Sequence, residues 1–132
     1  MEGARLESVD LFSSLTAEDR DLIAGCMRVE SHPLGTVLVA EGDLPTKFFI
    51  LLGGHVTVHR GGSHVTDLGP GDYFGEVGVL SLERRNASVI ATTPLEVAVT
   101  MGWELRDILA TSPDLSTKLE NAAQSRAGTI TE

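Results

Sequence analysis

The chain has 132 residues, 42% of them hydrophobic, which suits one domain around a single core and is too short for two. Ten Lys and Arg against 19 Asp and Glu give a net charge of −9. So acidic a chain has no broad positive field to draw in nucleic acid or an anionic membrane, and a bound anion must be held locally, by backbone amides and one or two placed cations. The lone cysteine, Cys26, excludes an internal disulfide and reads as a small core thiol within Leu22-Ile23-Ala24-Gly25-Cys26-Met27. Met1-Glu2-Gly3-Ala4-Arg5 is not a basic region leading into an apolar one, so no secretion signal is visible. The longest apolar run, Phe48 to Leu52, is far short of the about 20 residues that cross a bilayer. The expectation is a soluble, cytoplasmic protein with no membrane partner.

In chain order, residues 6–27 read as helical. Leu11, Phe12 and Leu15 form an apolar patch, Thr16 with Asp19 three residues on marks a helix start, and Leu22, Ile23 and Met27 recur at helical spacing. Helical evidence stops at Arg28.

From residue 28 to 101 the pattern changes to short strands rich in β-branched and aromatic residues: 37–39, 48–52, 55–59, 64–68, 87–91 and 96–99. Glu41-Gly42-Asp43, Gly53-Gly54, Gly61-Gly62 and Gly69-Pro70-Gly71-Asp72 punctuate them as turns. After Met101 the helical pattern returns over 102–126. Trp103, Ile108 and Leu109 precede Pro113, which Ser112 and Asp114 flank as start signals, and Leu115, Leu119, Ala122 and Ala123 share one face. That face either docks on the barrel or forms a seam with a second copy or another protein. The expected fold is mainly β with flanking helices: a β-jelly-roll barrel with an N-terminal helix (1–27) and two C-terminal helices, all one domain.

One stretch carries chemistry. Gly75 and Gly78 bracket a short apolar turn that can form one or two turns of helix with free N–H groups aimed at an anion. Gly78 has no Cβ, so a phosphate can approach its backbone closely. Arg85 offers a fork for two phosphate oxygens and keeps its charge at any cellular pH. Glu76 is a poor phosphate neighbour but a good acceptor for a ribose hydroxyl. One carboxylate and one arginine suit a ligand with both a sugar edge and a singly charged phosphodiester. Arg84 reads as solvent-exposed.

Three stretches in order resemble the cyclic-nucleotide-binding domain family, of the cAMP receptor protein and protein kinase A regulatory-subunit type. Val39-Ala40-Glu41-Gly42-Asp43 with Phe48-Phe49-Ile50-Leu51 is similar to its Glu-Gly-Asp turn and aromatic strand, and Gly53-Gly54-His55-Val56-Thr57-Val58 to its next hairpin. Residues 71–89, with Phe74-Gly75-Glu76-Val77-Gly78 and Arg85-Asn86-Ala87, resemble its phosphate-binding cassette. The resemblance covers roughly residues 10–120. It implies that Glu76 binds the ribose 2′-hydroxyl, Arg85 the cyclic phosphate, and the amides near Gly78 and Asn86 the remaining oxygens, with Phe74, Val77 and Ala87 completing the cassette. Asn86 stands where the family more often carries Ala, Ser or Thr, and Gly78 replaces the commoner alanine. The resemblance favours cAMP over cGMP, because cAMP is the commoner ligand among compact, bacterial-looking members. Val65, Val77, Val89 and Leu119 are candidates to flank the base, each also readable as ordinary core.

Two other readings compete. A cupin-like metalloenzyme would draw on the histidines His32, His55, His59 and His64. His55, Thr57 and His59 would share a strand face, with His64 across the Gly61-Gly62 turn, yet no His-x-His with a following Glu occurs. A DNA-binding regulator would need a basic helix-turn-helix after the barrel, and only Lys118 and Arg126 follow residue 110. Met1 and the polar tail 127–132 read as a free-standing chain. No nucleophile–base set, metal-spaced cysteines or paired carboxylates stand out, so the expectation is a binding module without catalysis, metal or cofactor. Its ligand would be the nucleotide, its last helix (114–125) a lid, and its listener a protein partner. A degenerate domain that binds no nucleotide and serves only in protein interaction is the remaining alternative.

Overall fold

The computed structural model describes residues 3–6, 9–13, 15–75 and 84–127. Its architecture follows from the most apolar run in the chain. Strand β3 (Lys47–Gly53) carries Phe48 to Leu51, all buried, so it has no solvent face. Phe49 and Leu51 point between two sheets, while Phe48 and Ile50 point at the helices. A strand covered on both sides reads as a continuous apolar run rather than an alternating one. Burying each such side chain contributes roughly 1.5–3 kcal/mol.

Eight strands form two antiparallel sheets of four. Besides β3, they are β1 (Arg28–His32), β2 (Val37–Val39), β4 (Val56–Arg60), β5 (Ser63–Leu68), β6 (Tyr73–Phe74), β7 (Ser88–Ala91) and β8 (Leu95–Met101). The first sheet has the order β1-β8-β3-β6 and the second β2-β7-β4-β5. Phe49, Leu51, Val97 and Val99 meet Val56, Val58, Val89 and Ala91 between them, the core of a jelly roll. The expected fold is the observed one.

Two strands carry no sequence signal. β1 is Arg-Val-Glu-Ser-His with no buried position, an edge strand defined only by its pairing with β8, Arg28 opposite Val99 through His32 opposite Leu95. β6 has two residues, Tyr73 and Phe74, paired with Ile50 and Phe49.

The N-terminal segment, read as helical over 6–27 with a start at Thr16, is helical in three short pieces. It forms a 3-10 turn (Gly3–Leu6), a single turn α1 (Asp10–Ser13) and helix α2 (Ala17–Gly25). The break is at Thr16, which is extended (φ −66°, ψ 158°) and whose Oγ1 accepts from the Asp19 N–H at 3.1 Å. This is the expected N-cap, and it starts a new helix rather than continuing one. At the other end α3 (Gly102–Thr111) and α4 (Pro113–Ala127) meet at Ser112, held out of helical geometry before the proline. Leu115 and Leu119 are fully buried with Leu6, Val9, Phe12 and Phe48, so this part of the α4 face packs within the chain's own core. Among the described residues no helix is long and apolar enough to cross a membrane.

Candidate functional site

The site is built around Arg85, an arginine whose side chain is taken out of water. It is 5% exposed. A buried guanidinium loses its hydration, so its N–H groups must find acceptors inside the protein. Arg85 Nη1 donates to the Gly75 carbonyl at 2.9 Å, and Nη2 donates to the Lys47 carbonyl. One carbonyl follows β6 and the other opens β3, so two segments of the first sheet clamp the fork. The backbone of Arg85 is fixed as well: its N–H donates to Asp43 at 2.8 Å, and its carbonyl accepts from Gly42 at 2.7 Å. The charge is therefore pre-positioned, which spares a ligand the entropy of ordering a long side chain.

Gly75 is required by this packing. Its φ is +96°, and a Cβ there would lie 2.8 Å from the Lys47 carbonyl oxygen and 3.4 Å from both terminal guanidinium nitrogens. Only glycine allows the backbone to run between that carbonyl and the arginine. Phe74 just before it is fully buried and stacks on Phe49 with ring centroids 4.8 Å apart, 16° between planes. Ala87 is buried in the inter-sheet core, whereas Asn86, between it and Arg85, is exposed. A cavity of about 130 Å³ opens beside the arginine, walled by Ala40, Asp43, Leu44, Lys47 and Phe49 among others.

The structure thus brings together Phe74, Gly75, Arg85 and Ala87, with Asn86 at the surface. Glu76, Val77 and Gly78 lie outside the described residues, as does the turn they were expected to form. Arg84 is exposed as expected, and its Nη1 donates to the Gly42 carbonyl at 2.8 Å. Sequence reasoning missed the partners that hold Arg85: Gly42, Asp43 and Lys47 act through backbone atoms, which leave no side-chain signature. The Glu41-Gly42-Asp43 turn, singled out by the resemblance, was the available clue. Of the residues considered for the base, Val89 and Leu119 are fully buried in the two cores and Val65 packs against the inter-sheet one, and Val77 lies outside the described residues.

The histidines do not converge on an ion. His55 precedes β4, while His59 and His64 face each other across the β4–β5 hairpin with ring centroids 5.7 Å apart. His64 Nε2 is 2.9 Å from Asp67 Oδ1, and this hydrogen bond, with one from Thr57, lowers the Asp67 carboxyl from its ordinary value. His32 pairs with Glu30 on β1. Among the described residues no group of three His, Cys, Asp or Glu is placed to hold a metal.

Comparison with known proteins agrees with this geometry. The family described as cyclic nucleotide-binding domain matches residues 29–112. A cAMP-dependent protein kinase regulatory subunit from Hypocrea atroviridis is 37% identical over 93 residues, 70% of this chain and 20% of that protein. A cGMP-dependent protein kinase from Toxoplasma gondii is 37% identical over 102 residues, 77% of this chain and 10% of that one. The regulatory domain of Toxoplasma gondii PKA, crystallised with cAMP, superimposes with a TM-score of 0.83 at 25% identity, covering 94% of this chain and 49% of that one. This chain spans a fifth or less of the length of these two curated relatives. With the jelly roll, the Gly75–Arg85 clamp and a family match across residues 29–112, the chain belongs to the cyclic nucleotide-binding domain family.

Proposed function

We propose that this chain is a cytoplasmic sensor module that binds cAMP, has no catalytic activity of its own, and passes its ligand state to a protein partner. The observation that carries the reading is the buried guanidinium of Arg85, fixed through Gly75 and Lys47 beside a cavity. A cation held rigidly in a poorly hydrated site attracts a single phosphodiester charge far better than a surface arginine does. In this reading Arg85 binds the cyclic phosphate and Glu76 the ribose 2′-hydroxyl. Amides near Gly78 and Asn86 bind the other oxygens, and Phe74, Gly75, Val77 and Ala87 shape the cassette. Val65 and Val89 remain barrel core, and the last helix closes over the base as a lid. Two states of differing nucleotide affinity then suffice for signalling.

The names of relatives support cAMP first, because several of them, one 40% identical, are cAMP-dependent protein kinase regulatory subunits, and cGMP second, because one at 37% is a cGMP-dependent protein kinase. The exposed Asn86 side chain is free of the core and available to a base amino group, which keeps cGMP as the second reading.

Calorimetric titration with cAMP and cGMP tests the proposal. Wild type should bind cAMP, and Arg85→Ala should lose about 2–4 kcal/mol of that affinity, the size of a lost charge-assisted bidentate contact. Binding indifferent to Arg85 would sink the assignment, and no binding of either nucleotide would leave the protein-interaction reading.

A further inference from the structure

Glu41 lies outside the cavity walls, yet it sits where three segments meet. Its Oε1 accepts the Gly61 N–H at 2.9 Å, at the tip of the β4–β5 hairpin. Its own N–H donates to Ser88 Oγ at 3.1 Å, at the start of β7. The next two residues are the ones that hold the Arg85 backbone: Gly42 donates to its carbonyl, and Asp43 accepts from its N–H. Arg84 closes the same turn through the Gly42 carbonyl. A hairpin tip is therefore joined to the arginine through one side chain and a two-residue backbone ladder.

Gly61 and Gly62 have φ of +59° and +80°, so the tip is a tight two-residue turn that presents its N–H in a fixed direction. The Glu41 side chain is exposed, so nothing in core packing explains its placement. An ionised carboxylate accepting a backbone N–H makes a stronger bond than a neutral acceptor does. We infer that Glu41 is a positioning residue for nucleotide affinity, tying the β4–β5 hairpin to the Glu41–Asp43 turn so that Arg85 is held in its anion-binding pose. This rests on the cAMP reading above. Loss of the tie leaves Arg85 in place on average but loosens the turn that orients it, and affinity falls because the ligand must then order that turn itself.

The test is cAMP titration of wild type, Glu41→Ala, Glu41→Gln, Arg85→Ala and the Glu41→Ala/Arg85→Ala double variant. Amide exchange at Arg85 is followed in the ligand-free proteins. Glu41→Ala should weaken cAMP roughly tenfold, as for one lost charge-assisted hydrogen bond. Glu41→Gln, which keeps an oxygen acceptor but not its charge, should recover about half of that loss. In the Arg85→Ala background Glu41→Ala should add nothing, because its effect runs through the arginine. Arg85 amide exchange should be faster in Glu41→Ala than in wild type. Additive losses, no rescue by Gln, or unchanged Arg85 exchange would overturn the inference. If wild type bound neither nucleotide, the cAMP reading would fall, and the exchange at Arg85 would still decide whether Glu41 holds the turn.

Discussion

Gly75 and Arg85 stand ten residues apart in sequence, and the Gly75 carbonyl accepts from the Arg85 guanidinium at 2.9 Å while its missing Cβ makes room for that same group. One residue thus does two jobs, as acceptor and as spacer. Gly75→Ala keeps the acceptor and removes the space. The new methyl would meet the Lys47 carbonyl oxygen at 2.8 Å in a backbone with φ +96°. Such a strained position costs on the order of 1–3 kcal/mol. Denaturant unfolding should show a loss of that size, and cAMP affinity should fall roughly tenfold or more as the guanidinium is displaced. Wild-type stability and affinity in Gly75→Ala would mean the contact is not tight.

The strands that frame this pair were legible because their side chains alternate or run apolar. Val56 and Val58 are fully buried while Thr57 and His59 between and after them are half-buried, the period of a strand with one face inward. Thr16 and Pro113 were legible as helix starts for a chemical reason, a side-chain acceptor and a preset φ. The edge strand β1 was not, because Arg28 to His32 bury nothing and owe their conformation to β8. Arg85 and Gly75 were readable from their types and spacing. Burial of Arg85 was not, because the acceptors that permit it are the backbone carbonyls of Lys47 and Gly75, which leave no side-chain signature.

Thr100 on β8 is 1% exposed, and its hydroxyl has no hydrogen-bond partner among the described residues. It lies opposite Phe48 in the register of β3 and β8. A buried hydroxyl without a partner forfeits its hydration for nothing, whereas a methyl of the same shape does not. Thr100→Val should therefore raise stability by about 1 kcal/mol. Thr100→Ala should lower it by opening a cavity. Thermal and urea unfolding of the two variants decide the matter, and a destabilised Thr100→Val would show that the hydroxyl is satisfied in solution.

The proposed lid makes a sharper demand on α4 than movement of a whole helix. Leu115 and Leu119 are fully buried against Leu6, Val9 and Phe12, and Leu105, Ile108 and Leu109 of α3 belong to the same cluster. Withdrawing two buried leucines would cost roughly 3–6 kcal/mol, taking 1.5–3 for each. Moving the whole helix would therefore consume a differential affinity of that size at this one contact, close to the about 5.5 kcal/mol that carries a two-state switch from 1:99 to 99:1, whereas a hinge beyond Leu119 leaves it for the switch itself. The helix should hinge beyond Leu119, with residues 113–119 anchored and the following turns adjusting to the nucleotide. Hydrogen exchange with and without cAMP should then show increased protection over 120–127 and little change over 113–119. Equal changes in both halves would point to a rigid helix moving as one, and no change in either would exclude the lid while leaving the Arg85 site standing.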